Sequence, residues 1–151
     1  MNSFITDYDF YTCGMNLDTR RHGAMIYENI HMLASSLGVS DQLVTPKRDV
    51  SSHPACKLWK GYEGAHFKYA MELFNAWYDK GYHSEKNLEN LIFLAPFVGL
   101  MDKSTPPWIT EELIETHRSV LIQKKPEHYR PLWPDTPDNL TMRYNWGNIN
   151  P

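Results

Sequence analysis

The chain has 151 residues, a length that favours a single domain with its own core. Its composition, 42% hydrophobic and 22% charged, indicates a packed globular protein and excludes a disordered one. The two cysteines, Cys13 and Cys56, are too few for a disulfide framework or a cysteine-rich zinc site. Because there is no long apolar run and no signal peptide, we expect a cytoplasmic protein without a membrane segment.

The formal net charge is −3, which counts against a strong, unspecific nucleic-acid binder, because such domains are usually basic. Several cations nevertheless gather in the first half of the chain: Arg20, Arg21, Lys47, Arg48, Lys57 and Lys60. A local basic face is therefore compatible with the sequence. Its affinity for nucleic acid would be weaker, and less dependent on salt, than that of a very basic protein.

The first predicted helix spans residues 17–37, where apolar residues recur near the helical period and Gly38 follows as a stop. After a polar loop, residues 54–80 predict a long helix that begins behind His53 and ends at Gly81. Its aromatic residues recur every three or four positions, a stripe more typical of a core than of a binding groove.

Two further helices are predicted in the second half. One covers residues 84–93 and bends or ends at Ala95 and Pro96; the other runs from Thr110 to Lys125. The last 26 residues include Pro131, Pro134 and Pro137 and show no strong period, which predicts an extended arm that wraps the helices. The expected fold is all-α: a compact bundle of about four helices with long loops and an extended C-terminal arm, one domain over residues 1–151.

The motif content excludes several kinds of chemistry. The seven histidines form no HxH, HxxxH or HExxH pattern, so we expect no metal and no other cofactor. The nucleophile elbow GxSxG, the phosphate-binding GxxxxGK[ST] and the dinucleotide-binding GxGxxG are absent from the sequence. Nothing points to a serine or cysteine nucleophile.

Residues 106–133 have two interpretations. The predicted helix there carries His117, Arg118, Lys124 and Lys125 on its polar side and is followed by Tyr129. Cations beside flat aromatic rings suit a surface that binds phosphates and stacks on bases. The alternative is an ordinary solvated helix face followed by a proline-rich wrap, and the spacing alone favours this simpler interpretation.

The first long helix also has two interpretations. Arg21, Glu28 and His31 share one face with the small Ala24 between them. A carboxylate within reach of two basic groups, beside a gap, could stabilise positive charge on a sugar. The alternative is an intrahelical network around a partly buried glutamate.

Several blocks of the sequence together resemble one family. In chain order these are MNSF, LDTRRHG followed by Glu28, HPACKLWKGYE, DKGY, PPW, THRSVLIQKKPEHY and the late PDNL. They are similar to small bacterial and phage proteins related to the pyrimidine-dimer DNA glycosylases of the endonuclease V type. The resemblance covers nearly the whole chain. The blocks around HPA and THRS are specific, because the formation of a helix alone would not require these particular residue types.

The resemblance implies a compact, mostly helical enzyme that flips a nucleotide out of double-stranded DNA and cleaves its glycosidic bond. In the characterised relatives the N-terminal α-amine attacks C1′ of the deoxyribose. A glutamate on the first long helix supports the sugar cation and the Schiff base that follows, and β-elimination then gives abasic-site lyase activity. An α-amine ordinarily has a pKa of about 7.7–8.0, so a useful fraction is neutral near pH 7.

Carried onto this sequence, the resemblance makes Glu28 the catalytic glutamate. Asn2 is too large for efficient removal of the initiator methionine, so the nucleophile would be the amine of Met1. The expected DNA-binding residues are Arg20, Arg21, His31, His53, Lys57, Lys60, His117, Arg118, Lys124, Lys125 and Tyr129. The protein would act on a damaged or modified pyrimidine in a bacterial or phage-infected cell.

Two alternatives remain open at this point. The net charge of −3 and the retained Met1 also fit a catalytically silent module that binds DNA or protein on the same scaffold. An N-glycosidase that acts on free nucleotides would not need a basic DNA groove. The sequence predicts no particular oligomeric state.

Overall fold

The computed structural model describes residues 1–146 and contains seven α-helices in this part of the chain: α1 (Phe10–Asn16), α2 (Thr19–Ser36), α3 (Pro54–Leu58), α4 (Glu63–Asp79), α5 (Glu85–Val98), α6 (Glu111–Lys124) and α7 (Pro126–Tyr129). No strand occurs within these residues, which confirms the all-α class. Helix α4 is central and packs against α1, α2 and α5. Across residues 1–146, every helix is too short or too polar to cross a membrane.

Short polar side chains define where several helices begin. Each accepts a hydrogen bond from the backbone N–H three residues further on, which satisfies a donor that the first helical turn leaves free. These caps are Asp9 before α1 at 3.0 Å, Asp18 before α2 at 3.4 Å and Thr110 before α6 at 3.2 Å.

Helix α1 was not expected from the sequence, because seven residues are too few to show a clear period. It crosses α4 closely at Gly14, where a Cβ atom would lie 2.7 Å from the Cβ of Ala76. Any larger residue at position 14 would push the two helices apart. Because Asp18 caps the next helix, α2 begins at Thr19 rather than at residue 17.

The single helix predicted over residues 54–80 is in fact two helices, α3 and α4. The predicted start is confirmed, since His53 Nδ1 accepts the N–H of Ala55 at 3.1 Å. The break falls at Gly61, whose φ of +87° suits glycine and ends the helical path. This turn leaves Trp59 fully buried and stacked on His66, with ring centroids 4.4 Å apart.

Helix α5 continues through Pro96 to Val98, so the predicted end at residues 95–96 is wrong. Proline has no backbone N–H, so Pro96 removes one hydrogen bond of the helix. Because Pro96 lies two residues before the end of α5, few helical hydrogen bonds beyond it depend on the one that is lost. Helix α6 has the predicted bounds, and the short α7 follows it.

Residues 130–146 contain turns but no helix. They are tied to α6 at Leu140, whose N–H donates to Ser119 Oγ at 3.0 Å and whose carbonyl accepts from Gln123 Nε2 at 2.8 Å. The last five residues of the predicted arm, 147–151, lie outside the described part of the chain.

Candidate functional site

The segment of residues 2–6 is held by side chains rather than by backbone pairing. Five of its hydrogen bonds join a backbone group of the segment to a side chain of α2, α4 or α6. They are the Asn2 N–H to Glu28 Oε2 at 3.4 Å, Asn29 Nδ2 to the Asn2 carbonyl at 3.1 Å, Tyr69 OH to the Phe4 carbonyl at 2.7 Å, the Ile5 N–H to His117 Nδ1 at 2.9 Å, and Arg118 Nε to the Thr6 carbonyl at 2.8 Å. The position of the chain terminus is therefore set by the three helices together.

Asn29 connects this segment to the core. Its Nδ2 also donates to the Met25 carbonyl at 2.8 Å, which fixes the orientation of the amide. Its Oδ1 accepts from Ser3 Oγ at 2.5 Å and lies 3.0 Å from His66 Nε2. Because Asn29 is fully buried, these bonds replace all of its contacts with water. Burial also lowers the pKa of His66 to about 3, so its imidazole is neutral and donates through Nε2.

Glu28 lies next to Asn29 on α2 and is half-buried. Its Oε2 accepts the N–H of Asn2 at 3.4 Å. The Met1 side chain packs nearby, against a small buried cluster that includes Met32 and Cys56. Among the ion pairs within residues 1–146, none includes the Met1 ammonium.

His53 and Tyr144 complete the surroundings of the terminus. Burial, and then the positive charge of the chain terminus, lowers the pKa of His53, and the Glu28 carboxylate opposes that shift. Burial and the charge of Glu28 raise the pKa of Tyr144, whose hydroxyl donates to Asn2 Oδ1. Glu28 and Tyr144 both hydrogen-bond to Asn2, and the His53 ring meets the Tyr144 ring edge-on with centroids 6.2 Å apart, so the three side chains lie together around the terminus.

The predicted face of α2 is divided in the structure. Arg21 pairs with Asp18 at 3.3 Å, and His31 points into the protein, with its ring nitrogens 2.8 Å from the Tyr27 carbonyl and 2.7 Å from the Thr45 carbonyl. Glu28 therefore contacts the N-terminal backbone rather than the two basic residues of its own helix.

Burial corrects the expectation that His31, His117 and Tyr129 contact DNA, since each is at most 1% exposed. His117 binds the N-terminal segment, and the Tyr129 hydroxyl both donates to the Asp18 carboxylate and accepts the Asp18 N–H. Arg118 is half-buried, with its guanidinium 5.3 Å from the Trp133 ring centroid. Much of the polar side predicted for residues 106–133 thus stabilises the fold.

The other predicted DNA-binding cations lie at or near the surface. Lys57 and Lys60 are exposed and line a cavity, which also contains Ser36. A second cavity is lined by Arg20 and Lys125. Lys124 is exposed at the end of α6, whereas Arg21 is half-buried in its ion pair with Asp18.

Three residues of this site had not been predicted: Asn2, Asn29 and Tyr144. A fully buried asparagine between the apolar Met25 and Met32 is a polar interruption of the core face of α2, and that signal is visible in the sequence. Nothing local marks Tyr144, because its contact with Asn2 spans 142 positions.

Residues 1–146 bring no three histidine, cysteine, aspartate or glutamate side chains together in a metal-binding group. Residues 1–90, more than half of the chain, match the protein family described as pyrimidine dimer DNA glycosylase. The chain belongs to the pyrimidine dimer DNA glycosylase family. No curated protein matches it, and no solved structure does.

Membership of the glycosylase family implies DNA glycosylase activity and a DNA substrate. The matched residues include the terminus, Glu28, Asn29 and His53. Helix α6 and Tyr144 lie beyond the match, although both contact the N-terminal segment.

Proposed function

We propose that this glycosylase excises a damaged or modified pyrimidine from double-stranded DNA by attack of the Met1 α-amine on C1′, with Glu28 assisting. The observation that carries the proposal is the contact between Glu28 Oε2 and the N–H of Asn2, at 3.4 Å. A carboxylate next to a fixed chain terminus has the geometry needed to stabilise positive charge on a sugar bound there.

The proposed reaction uses the neutral form of the amine. Its lone pair forms a bond to C1′ while the bond from C1′ to the base breaks, and the base leaves with that electron pair and takes up a proton. The attached nitrogen loses a proton, and opening of the sugar ring gives a Schiff base. Glu28 stabilises the positive charge that develops on the sugar and then on the Schiff base.

Strand cleavage is a further step of the same proposal. Loss of a proton from C2′ of the Schiff base expels the 3′ phosphate by β-elimination. Nicking of a duplex that already contains an abasic site tests this lyase step separately from base release.

DNA binding would fall to the cations at the surface: Arg20, Arg21, Lys57, Lys60, Lys124 and Lys125, with His53 beside the terminus. Contacts of lysine and arginine with phosphates position a duplex without reading its sequence. The nucleotide would leave the base stack to bring its C1′ to the amine. Unlike a strongly basic protein, a chain with a net charge of −3 would bind with modest affinity.

The test is incubation with UV-irradiated, modified-base and abasic duplexes in the presence of borohydride, which reduces a Schiff base to a stable adduct. We expect base release, a covalent adduct, and loss of both in Glu28→Gln. Glu89→Gln, at an exposed position of α5, is the matched control. The absence of base release and adduct on every duplex would overturn the proposal.

Other outcomes identify the alternatives. Equal DNA binding by the wild type and Glu28→Gln, without turnover by either, indicates a silent binding module. Release of base from mononucleotides but not from duplexes indicates an N-glycosidase of free nucleotides.

The identity of the attacking nitrogen can be measured on the same adduct. The proposal assigns it to Met1, whereas the nitrogen in contact with Glu28 is that of Asn2. In a chain that has lost Met1, the Asn2 nitrogen would itself be the α-amine. Mass spectrometry of the N-terminal peptide distinguishes an adduct on Met1 from one on Asn2.

A further inference from the structure

The C-terminal segment, residues 140–146, returns from α6 to the chain terminus. Leu140 fixes its beginning through two bonds to α6. Arg143 holds its middle, because Nη2 donates to Glu112 Oε1 at 2.8 Å and the guanidinium lies 3.8 Å from the Trp146 ring centroid. Tyr144 is thereby directed towards the N-terminal site.

Tyr144 is half-buried and has several contacts at that site. Its hydroxyl donates to Asn2 Oδ1, and its ring meets His53 edge-on with centroids 6.2 Å apart. It also packs against the same buried cluster, which includes Met32 and Cys56, as the Met1 side chain does.

Asn2 is consequently held through three different groups. Its carbonyl binds Asn29, its N–H binds Glu28, and its side chain accepts from Tyr144. Without the third contact, the Asn2 side chain would lose its only hydrogen bond within residues 1–146 and be free to rotate beside Met1. Fixing a reacting group in advance reduces the entropy lost on reaching the transition state.

We propose that Tyr144 is a positioning residue for the N-terminal amine, and that the C-terminal segment delivers it and covers one side of the site. This inference rests on the proposed function. It adds a residue outside the part of the chain that matches the glycosylase family. Tyr144 acts through Asn2 and does not itself exchange protons or bonds with the substrate.

The first test compares Tyr144→Phe, which keeps the ring and removes the hydroxyl, with Tyr78→Phe, the same change at a tyrosine that is 58% exposed. We expect Tyr144→Phe to lower kcat by about tenfold, the size of one hydrogen bond, with KM within about twofold of wild type. Tyr78→Phe should behave as wild type. An unchanged kcat in Tyr144→Phe would overturn the inference. So would a fall in kcat that disappears when the rates of variant and wild type are expressed per folded molecule.

The second test does not need the enzyme to be active. The N-terminal amine is acetylated with a small amine-reactive ester, and peptide mapping gives the labelling rate of the N-terminal peptide alone. We expect Tyr144→Ala, verified as folded by circular dichroism, to be labelled several-fold faster than wild type. Equal rates overturn the inference, whereas a wild type that releases no base from any duplex overturns only the proposed function.

Discussion

The buried amide of Asn29 holds the carbonyl of Asn2 at 3.1 Å and places the chain terminus beside α2. The preceding residue of the helix, Glu28, accepts the N–H of the same Asn2. Two consecutive helical residues thus bind both backbone groups of one residue. This arrangement fixes a peptide unit next to a carboxylate, which an untethered chain end could not achieve.

Asn29→Leu, which keeps the number and branching of the side-chain heavy atoms, should destabilise the protein strongly. It leaves the Asn2 carbonyl, the Ser3 O–H donor and the His66 Nε2 donor without a partner, although Ser3 Oγ still accepts the indole N–H of Trp59. Since each buried polar group left unpaired costs about 1–3 kcal/mol, we expect a loss of at least about 3 kcal/mol in the free energy of unfolding. Urea unfolding measures it, and Asn75→Leu, exposed on α4, is the control. A loss below about 1 kcal/mol would show that the network contributes little.

Glu28→Gln should separate catalysis from binding. We expect base release to fall by about a hundredfold or more, because the developing sugar cation loses its counter-charge. DNA affinity should be unchanged or higher, because one negative charge is removed near the phosphates. Single-turnover kinetics measure the rate of base release, and a binding titration measures the affinity for DNA. A parallel loss of affinity and rate would mean that the variant disrupts the site rather than its charge.

The surface lysines and Arg118 should behave differently towards salt. Lys57→Ala and Lys60→Ala should each reduce the slope of log affinity against log salt by about 1, since each removes a phosphate contact. Arg118→Met should leave that slope unchanged and instead lower stability, because Nε binds the Thr6 carbonyl and the guanidinium lies over Trp133. Binding titrations over a series of salt concentrations measure the slopes. Equal slopes in all three variants would contradict the division between surface and structural cations.

Stability should fall in mild acid because three histidines are buried. Burial lowers the pKa of His22 to about 4 and those of His66 and His117 to about 3, from 6.5 in an unfolded chain. Below pH 6.5 the unfolded state therefore binds more protons than the folded state. The stability that these groups contribute is complete above about pH 6.5 and declines as the pH falls towards 4.

At pH 5 the loss should be about 2 kcal/mol for each of these histidines. Urea unfolding at several pH values between about 5 and 8 measures it, and His66→Gln should flatten the dependence by about one proton. His83→Gln, at an exposed position, is the control. Constant stability over this range would mean that the three imidazoles are reached by water in the folded state.

The fold could be predicted where local chemistry decides it. Gly38 and Gly81 have positive φ values just beyond the ends of α2 and α4, and His53 caps α3 as expected. The break at Gly61 was missed, since the aromatic residues on both sides keep the helical spacing. In the structure, Trp59 lies at the end of α3 and His66 lies in α4. The two rings stack in the core across the turn at Gly61, so their spacing in the sequence does not come from one continuous helix.

The site could be predicted only in part, for a similar reason. The resemblance indicated Met1 and Glu28, and in the structure Glu28 accepts the N–H of Asn2, the residue that follows Met1, while the catalytic roles of both stay a prediction. Histidine and tyrosine were assigned to DNA because cations and aromatic rings suit phosphates and bases. In the structure His117 and Tyr129 bind residues more than 100 positions away, at Ile5 and Asp18, and such distant pairs leave no local pattern.

The most direct test of the central claim is peptide mapping of the adduct that borohydride traps on a damaged or abasic duplex. The account predicts a single adduct on the N-terminal α-amine, present in wild type and lost in Glu28→Gln. An adduct on a lysine side chain, or base release without any adduct while Glu28→Gln remains fully active, would contradict it.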